Sequence, residues 1–369
     1  MKLKAFILIS SVLIFTSSSV QNDTYSLPVD PIADLYSYMV QPISENNEEK
    51  LAMFSYNENA MLIYDLEEQE IERKIKYDHQ GPNALNNMKV YGGLSYINTD
   101  SIIYFDSQLD LAYLSDDKGN VYKRLTVDGG NVGFGSKGIG QSLAYRKGHL
   151  YVQAWPVRIG ANEMKNADDY PNHFGKISLK DGSVERLLFD FPPEYKNKDY
   201  SQMLKSANII YNQKIDKFII NFPSSHSIYV TDFNGYTKAY KAESSIVNNT
   251  EEKSTHKAKV GASSLDSFAT WLSDQYEKLI FDPKSGYYFR IARKGITERA
   301  YNARDFATEK EVIVLDPNFN HVKTLKHHGG SLLYYFFKGD QIFWNKDMLI
   351  HNVEAGNEDI IYFDQVKFK

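Results

Sequence analysis

A short pattern of apolar and polar positions recurs along the chain, and each copy resembles a β-hairpin. The clearest copy is Ala112–Asp128, where two stretches rich in β-branched and aromatic residues flank a polar turn that contains Gly119. Further copies are Met61–Tyr77, Gly175–Asp190, Ile228–Ala242, Val312–His328 and a degenerate one that starts at Met348. The pattern therefore predicts six hairpins.

Two more short strands precede each hairpin, as Leu94–Ile97 and Ser101–Phe105 precede the clearest copy. Four short strands joined by tight polar turns predict one antiparallel sheet per repeat. The fifth hairpin position falls at Asp65, Asp116, Leu179, Asp232, Asp316 and Asn352. This unequal spacing excludes a short-period solenoid and fits propeller blades with connections of different length. We expect an all-β, six-bladed β-propeller of four-stranded antiparallel blades; a β-sandwich with a second domain is the alternative.

The propeller is expected to occupy residues 51–369. Residues 20–50 form a lead-in segment that can add a strand to the last unit and so close the ring. Before blade five, Ser263–Lys278 interrupts the strand pattern with apolar residues near helical spacing, which predicts one short helical insertion. Polar insertions at Ile159–Pro171 and Ser244–Val260 are expected to be loops.

The first 19 residues have the pattern of a signal peptide. Lys2 and Lys4 precede the apolar run Ala5–Phe15, and small residues follow at Ser17–Ser19. A retained membrane anchor is the alternative, but the apolar run is shorter than the roughly 20 residues that a spanning helix needs. We expect export to the periplasm or cell envelope, with no transmembrane segment after signal cleavage.

The composition of the chain limits which chemistry and which partners can be expected. The chain has 369 residues and no cysteine, which excludes disulfides, thiol catalysis, thiolate metal sites and lipid attachment through cysteine. Its formal net charge of −5 gives no electrostatic reason to bind nucleic acid or an anionic membrane surface. We expect a monomer.

Two short motifs resemble a known group. Tyr276–Arg290 (YEKLIFDPKSGYYFR) and Gly81-Pro82-Asn83 are similar to motifs in an uncharacterised family of bacterial cell-envelope proteins, a domain of unknown function. The resemblance implies a TolB-like six-bladed β-propeller in an exported protein, often a lipoprotein. This chain departs from that pattern because it lacks the cysteine that would carry a lipid. The resemblance implies no reaction.

Common chemical motifs are weak here. Gly133–Gly138 spells GxGxxG, but strand-like sequence follows it, so we interpret it as a glycine-rich loop between blades two and three. Neighbouring residues of a strand point to opposite faces, so His327 and His328 are poorly placed to share a metal ion. Asp116-Asp117 and Asp168-Asp169 could ligate calcium, but aspartate is also common in turns. We expect no metal and no cofactor.

An aromatic and cationic set is the candidate ligand-binding site, because aromatic faces and arginine forks at a channel mouth can hold sugars, carboxylates or peptides. Its members are Trp155, Arg158, Tyr170, His173, Tyr288, Arg290 and Arg293. The alternative is that Arg290 pairs with a blade carboxylate and that Trp155 packs between blades. We expect a ligand-binding or protein-interaction module rather than an enzyme, with a small ligand, a glycan or an envelope protein as partner. The alternatives are a channel-based hydrolase or lyase acting on glycan or peptide, and a structural subunit.

Overall fold

The computed structural model describes residues 25–28, 40–56, 58–81, 84–85, 92–106, 110–128, 132–135, 143–156, 174–195, 204–248, 268, 270–329, 334–345 and 360–368. These residues form six antiparallel sheets arranged in a ring. The predicted all-β, six-bladed propeller is confirmed. No helix in the described ranges combines the length and the apolar character that a membrane span needs.

The strands are numbered in chain order, and β1 is Tyr25–Pro28. Blade one contains β2 (Val40–Glu45), β3 (Glu48–Ser55), β4 (Ala60–Asp65) and β5 (Glu70–Lys76). Blade two contains β6 (Gly92–Asn98), β7 (Ser101–Asp106), β8 (Leu111–Ser115) and β9 (Val121–Thr126). Blade three contains β10 (Val132–Gly135), β11 (Ala144–Arg146), β12 (His149–Pro156), β13 (Phe174–Ser178) and β14 (Val184–Leu187).

Blade four contains β15 (Asn208–Asn212), β16 (Lys217–Asn221), β17 (Ser227–Thr231) and β18 (Thr237–Lys241). Blade five contains β19 (Gln275–Phe281), β20 (Tyr288–Arg293), β21 (Thr308–Leu315) and β22 (His321–Gly329). Blade six contains β23 (Tyr335–Lys338), β24 (Gln341–Asn345), β25 (Ile360–Lys367) and β1. Five of the predicted hairpins are the last two strands of blades one to five.

Six hydrophobic clusters hold the ring together, one between each pair of neighbouring blades. Between blades one and two, for example, the ring centroids of Phe54 and Tyr104 lie 5.4 Å apart. The first strands of neighbouring blades, such as β15 and β19, lie against each other and therefore surround the axis. The outermost strands carry mainly exposed side chains, as β18 shows.

The last blade is built from both ends of the chain. Its third strand is β25, and β1 pairs with β25 from Tyr25 opposite Phe363 to Pro28 opposite Ile360. The hairpin predicted to start at Met348 lies outside the described residues. In addition, β2 supplies the first strand of blade one from inside the predicted lead-in segment, so the first sheet begins at Val40 rather than Leu51.

Two local predictions differ from the structure. Gly133 and Gly135 lie in β10, which pairs with β12 on the same edge as β11, so this part of the glycine-rich stretch is a strand rather than a loop. Before blade five, Phe268 and residues 270–272 are helical, but β19 begins at Gln275, so the helix ends earlier than predicted. A short helix that the sequence did not signal, α1 (Glu298–Asn302), begins at the cap residue Thr297.

The recurring aspartate of the hairpins stabilises the turn between the third and fourth strands. Asp116 Oδ1 accepts hydrogen bonds from the backbone N–H groups of Lys118 and Asn120, at 3.0 and 2.9 Å. Asp316 does the same with Asn318 and Asn320. In both turns the asparagine side chain donates to Oδ2 of the aspartate. These carboxylates therefore serve the fold.

The two faces of the ring differ in the connections that they carry. At one face lie the connections from first to second and from third to fourth strands, all of them short: 46–47, 66–69, 99–100, 116–120, 147–148, 179–183, 213–216, 232–236, 282–287, 316–320 and 339–340. We call this the turn face. The remaining connections join strand ends at the opposite face, and those that follow β5, β12, β14, β18, β20 and β24 are long. We call this the loop face.

Candidate functional site

Blade five carries two buried arginines that reach the loop face on opposite surfaces of the sheet. Arg290 and Arg293 lie three positions apart on β20, so their side chains point to opposite sides. The register partners of Arg290, Leu279 and Ile313, belong to the cluster between blades four and five. Arg293 therefore faces blade six.

Arg290 joins blade four to blade five. It is 0% exposed, and it donates from Nε to Asn221 Oδ1 at 2.7 Å, from Nη1 to the Ala242 carbonyl at 2.6 Å and from Nη2 to the Ser225 carbonyl at 2.6 Å. Its guanidinium lies 3.4 Å from the ring centroid of Tyr276. Burial lowers the pKa of Arg290 to about 10, which still leaves it charged at neutral pH.

This contact gives a physical reason for the motif Tyr276–Arg290. Its first residue supplies the aromatic face, and its last supplies the cation that stacks on that face. Between them, Asp282 Oδ1 accepts from the Lys284 N–H at 3.0 Å, and Gly286 adopts a φ of +80°, which favours glycine. The motif is thus a hairpin whose two strands are joined by a cation–π contact at the loop-face end.

A second cluster lies on the surface that faces blade six. The register of β19 against β20 shifts between Tyr276 and Lys278, so Glu277 lies in a β-bulge. Glu277 Oε1 lies 2.6 Å from Arg293 Nε, and Glu277 Oε2 lies 3.1 Å from Lys310 Nζ. Burial acts to raise the pKa of Glu277, but Lys310 and Arg293 outweigh it, so the pKa lies below its usual value.

Arg293 also holds the helical turn that precedes blade five. Its Nη2 donates to the Thr270 carbonyl at 2.7 Å, and its Nη1 donates to the Trp271 carbonyl at 3.0 Å. The Trp271 ring centroid lies 4.6 Å from the guanidinium carbon. The arginine thus fixes the segment that leads into the innermost strand.

Lys278 follows the bulge on that innermost strand. It is 5% exposed, and its Nζ lies 4.7 Å from the ring centroid of Tyr335 in blade six. Burial lowers the pKa of Lys278 to about 7; Glu277 acts in the opposite direction and Lys310 adds to the lowering. A lysine that titrates near neutral pH can act as a base, a nucleophile or a pH-sensitive ligand group.

The chain that leaves blade four packs against blade five before it passes outside the described residues. Ser244 Oγ and the Ser245 N–H donate to Glu311 Oε2 at 2.6 and 2.8 Å. Ile246 and Val247 are buried in the cluster between the two blades. The predicted loop Ser244–Val260 therefore begins as an anchored segment over 244–248; we call it the strap. Its continuation, 249–260, lies outside the described residues.

A smaller acidic site lies at the loop-face end of blade two. Asp106 ends β7, and Asp110 precedes β8 with a φ of +51°. Burial raises the pKa of Asp110, and the charge of Asp106 adds to the effect. The Tyr113 hydroxyl is buried nearby and accepts no hydrogen bond from the described residues.

The structure places only part of the predicted ligand-binding set. Arg290 and Arg293 reach the loop face, whereas Tyr288 lies at the other end of β20, stacked on Phe281 and Phe319. Trp155 is in β12, but its side chain is not described, and three further members lie outside the described residues: Arg158, Tyr170 and His173. The ligand-binding role of the set stays a prediction. The partners of Arg290 given above are carbonyl and amide oxygens rather than the carboxylate of the alternative.

Sequence reasoning missed Glu277 and Lys278. The available signal was a charged pair inside the otherwise apolar strand YEKLIF. His327 lies beside Trp344 with ring centroids 5.9 Å apart, whereas the neighbouring His328 is exposed.

Comparison with known proteins identifies the family. The family model described as Domain of unknown function (DUF4221) matches residues 16–323. The chain belongs to this family. Among curated proteins, none matches the chain. The resemblance noted in the sequence is therefore confirmed, and the family carries no assigned activity.

Two solved structures share the fold. A DUF4221 member from Bacteroides vulgatus is 18% identical, covers 93% of this chain over 96% of its own length and gives a TM-score of 0.73. A protein from Bacteroides fragilis that is named as exported is 11% identical, covers 94% of this chain over 95% of its own length and gives a TM-score of 0.55. At these identities the likeness establishes the fold alone.

Proposed function

We propose that this DUF4221 propeller is a binding module of the bacterial cell envelope and takes its ligand at the loop face beside blade five. The observation that carries the proposal is a cluster of ionisable side chains towards the loop-face end of that blade, in which Lys278, Arg293 and Lys310 are buried and Glu277 is partly exposed. Burying such groups is unfavourable, and here the single carboxylate of Glu277 is the partner of three cations, so their concentration at one site favours a functional role.

The difference between the two faces of the ring also supports a ligand site at the loop face. Short turns occupy the turn face, whereas the long connections leave from the loop face. Binding residues of rigid scaffolds are usually carried near such connections. A small ligand, a glycan or an envelope protein is the proposed partner.

Export is part of the proposal. Lys2 and Lys4, the apolar run Ala5–Phe15 and the serines 17–19 together support a cleaved signal peptide. The similar Bacteroides fragilis protein that is named as exported agrees with this. Because the chain contains no cysteine, we propose an unlipidated protein in the periplasm or envelope.

A thermal-shift screen tests the proposal. The chain from Val20 onward is heated with oxo acids, acidic sugars, envelope glycans and peptides, since a ligand of the folded state raises the melting temperature by mass action. We expect one chemical class to raise it, and we expect Lys278→Met to abolish the shift.

The control is Lys284→Met, which changes the same residue type in the same blade but at the turn face, where Lys284 is exposed. The shift should survive this substitution. Equal loss in both variants, or a shift that neither variant changes, would place binding elsewhere and refute the proposed site.

A hydrolase or lyase acting on glycan or peptide is the second candidate. The observation that favours it is the perturbed amine of Lys278, whose pKa is lowered by burial to about 7, because an amine that titrates near neutral pH can act as a general base. Turnover of the compound that raises the melting temperature would select this candidate. Binding without turnover would select the module.

A further inference from the structure

Lys278 has the surroundings of a reactive amine. It lies in the middle of the innermost strand of blade five, directly after the bulge at Glu277. Its register partner on β20 is Ile291, which is buried between blades five and six, and the Tyr335 ring covers its Nζ from blade six. An apolar side chain and an aromatic ring therefore form part of the surroundings of the amine.

These surroundings favour the neutral form of the amine. An ammonium group that is removed from water loses hydration free energy, and a nearby second cation adds repulsion. Lys310 on β21 is that cation. Glu277 favours the charged form of Lys278, but its carboxylate also contacts Arg293 on β20 and Lys310.

Tyr335 is the titratable group that the described part of blade six presents to Lys278. Burial raises the pKa of this phenol, so it stays neutral and adds no negative charge. With a pKa of about 7, roughly half of the Lys278 amines are neutral at neutral pH. An ordinary lysine, with a pKa near 10.4, is neutral in roughly one molecule in two thousand.

We propose that Lys278 is a nucleophile that condenses with the carbonyl group of an oxo-acid ligand to form an imine, an inference that rests on the proposed binding site. The Nζ lone pair attacks the carbonyl carbon and forms the C–N bond. The carbonyl oxygen then leaves as water with the two protons of the amine, and the C=N bond remains. The condensation is not a redox step and needs no further reactant.

The oxo-acid class follows from the charges beside the amine. Lys310 and Arg293 carry two positive charges against the single carboxylate of Glu277, which leaves a net positive potential beside Lys278. A ligand with a carboxylate next to its carbonyl is attracted by this potential, while the neutral Lys278 adds to the carbonyl carbon. A neutral aldehyde would gain only the second of these interactions.

Reductive trapping with glyoxylate tests the inference. The folded protein is incubated with glyoxylate and sodium cyanoborohydride, which reduces an imine to a stable carboxymethyl group, and each lysine is quantified by peptide mass spectrometry. Lys326 on β22 is exposed and serves as the internal reference. At pH 7 we expect Lys278 to be modified at least ten times faster than Lys326.

The pH profile separates a reactive amine from an accessible one. The rate at Lys278, relative to Lys326, should be high and nearly constant up to about pH 7 and fall as the pH rises towards 10, because an ordinary lysine amine becomes neutral only there. Lys310→Met should raise the pKa of Lys278 and lower this ratio at pH 7, whereas Lys284→Met should not change it. The profile of the wild-type protein tests the inference by itself, even if one of the variants fails to fold.

Two results overturn the inference. Modification of Lys278 at or below the rate of Lys326 at pH 7 would show that the amine is charged or closed to the ligand. A flat ratio across pH would show that exposure alone sets the rates. If such a result accompanies a thermal shift that depends on Lys278, the binding site stands and only the imine is refuted; if neither effect is seen, both proposals fail.

Discussion

Arg290 provides the sharpest test of how the blades are held together. Replacing it with methionine removes three hydrogen bonds of 2.6–2.7 Å and leaves the acceptors on Asn221, Ala242 and Ser225 without their donor. An unsatisfied buried acceptor costs about 1–3 kcal/mol. Removing the buried guanidinium offsets part of this loss, so for three such acceptors we expect the free energy of unfolding to fall by about 3–5 kcal/mol.

Urea-induced unfolding, followed by tryptophan fluorescence, measures this change. Arg299→Met is the matched control, because Arg299 lies exposed on α1 and exposed substitutions usually change stability by about 0.5 kcal/mol or less. A loss below about 1 kcal/mol for Arg290→Met, or an equal loss in the control, would refute the assignment of Arg290 as the link between blades four and five. Ligand binding by the destabilised but folded variant would then report any separate role of the guanidinium.

Three further predictions test the turns, the ring closure and the strap. Asp316→Ala should lower the free energy of unfolding by about 1 kcal/mol at pH 7. The turn lowers the pKa of Asp316 in the folded state, so the difference between variant and wild type should be complete above pH about 4 and disappear at lower pH. Unfolding curves measured across this pH range would contradict the prediction if the difference stayed constant. Leu27→Asp places a charge at a fully buried position of β1 and should detach this strand from blade six. We expect aggregation or a lower yield of soluble protein, whereas a normal melting curve would show that β1 does not close the ring. Glu311→Gln should loosen the strap and speed proteolysis after Ala242, so unchanged cleavage would count against the strap.

Most of the fold was predictable because its information is local. Alternating apolar positions specify each strand, and an aspartate after the third strand caps the next turn, as Asp116 and Asp316 do. The sixth blade was harder, since its fourth strand pairs Tyr25 with Phe363 from the other end of the chain. Local patterns favour no particular partner for such a strand.

The helix before blade five shows how packing changes a local preference. Tyr276 fits the helical spacing of Phe268 and Leu272, but it equally fits the alternation of β19. In the structure its ring packs on Arg290, which requires the strand geometry. The contact across the sheet therefore ends the helix before Gln275.

The candidate site was only half visible in the sequence. Arg290 and Arg293 drew attention because they are cations in an apolar strand. Glu277 and Lys278 have the same signal, but charged residues in strands usually face solvent, and only the bulge and the cover from Tyr335 show that Lys278 is buried. Bulges depend on pairing register, which a single strand does not specify.

The most direct test of the central claim is hydrogen–deuterium exchange with the compound that gives the largest shift in the thermal screen. Binding at the proposed site predicts slower exchange in peptides that cover the beginning of β19 and the end of β20, with no change in the turn at 282–287. Protection confined to turn-face connections, or a screen in which no compound raises the melting temperature, would contradict a ligand site at the loop face of blade five.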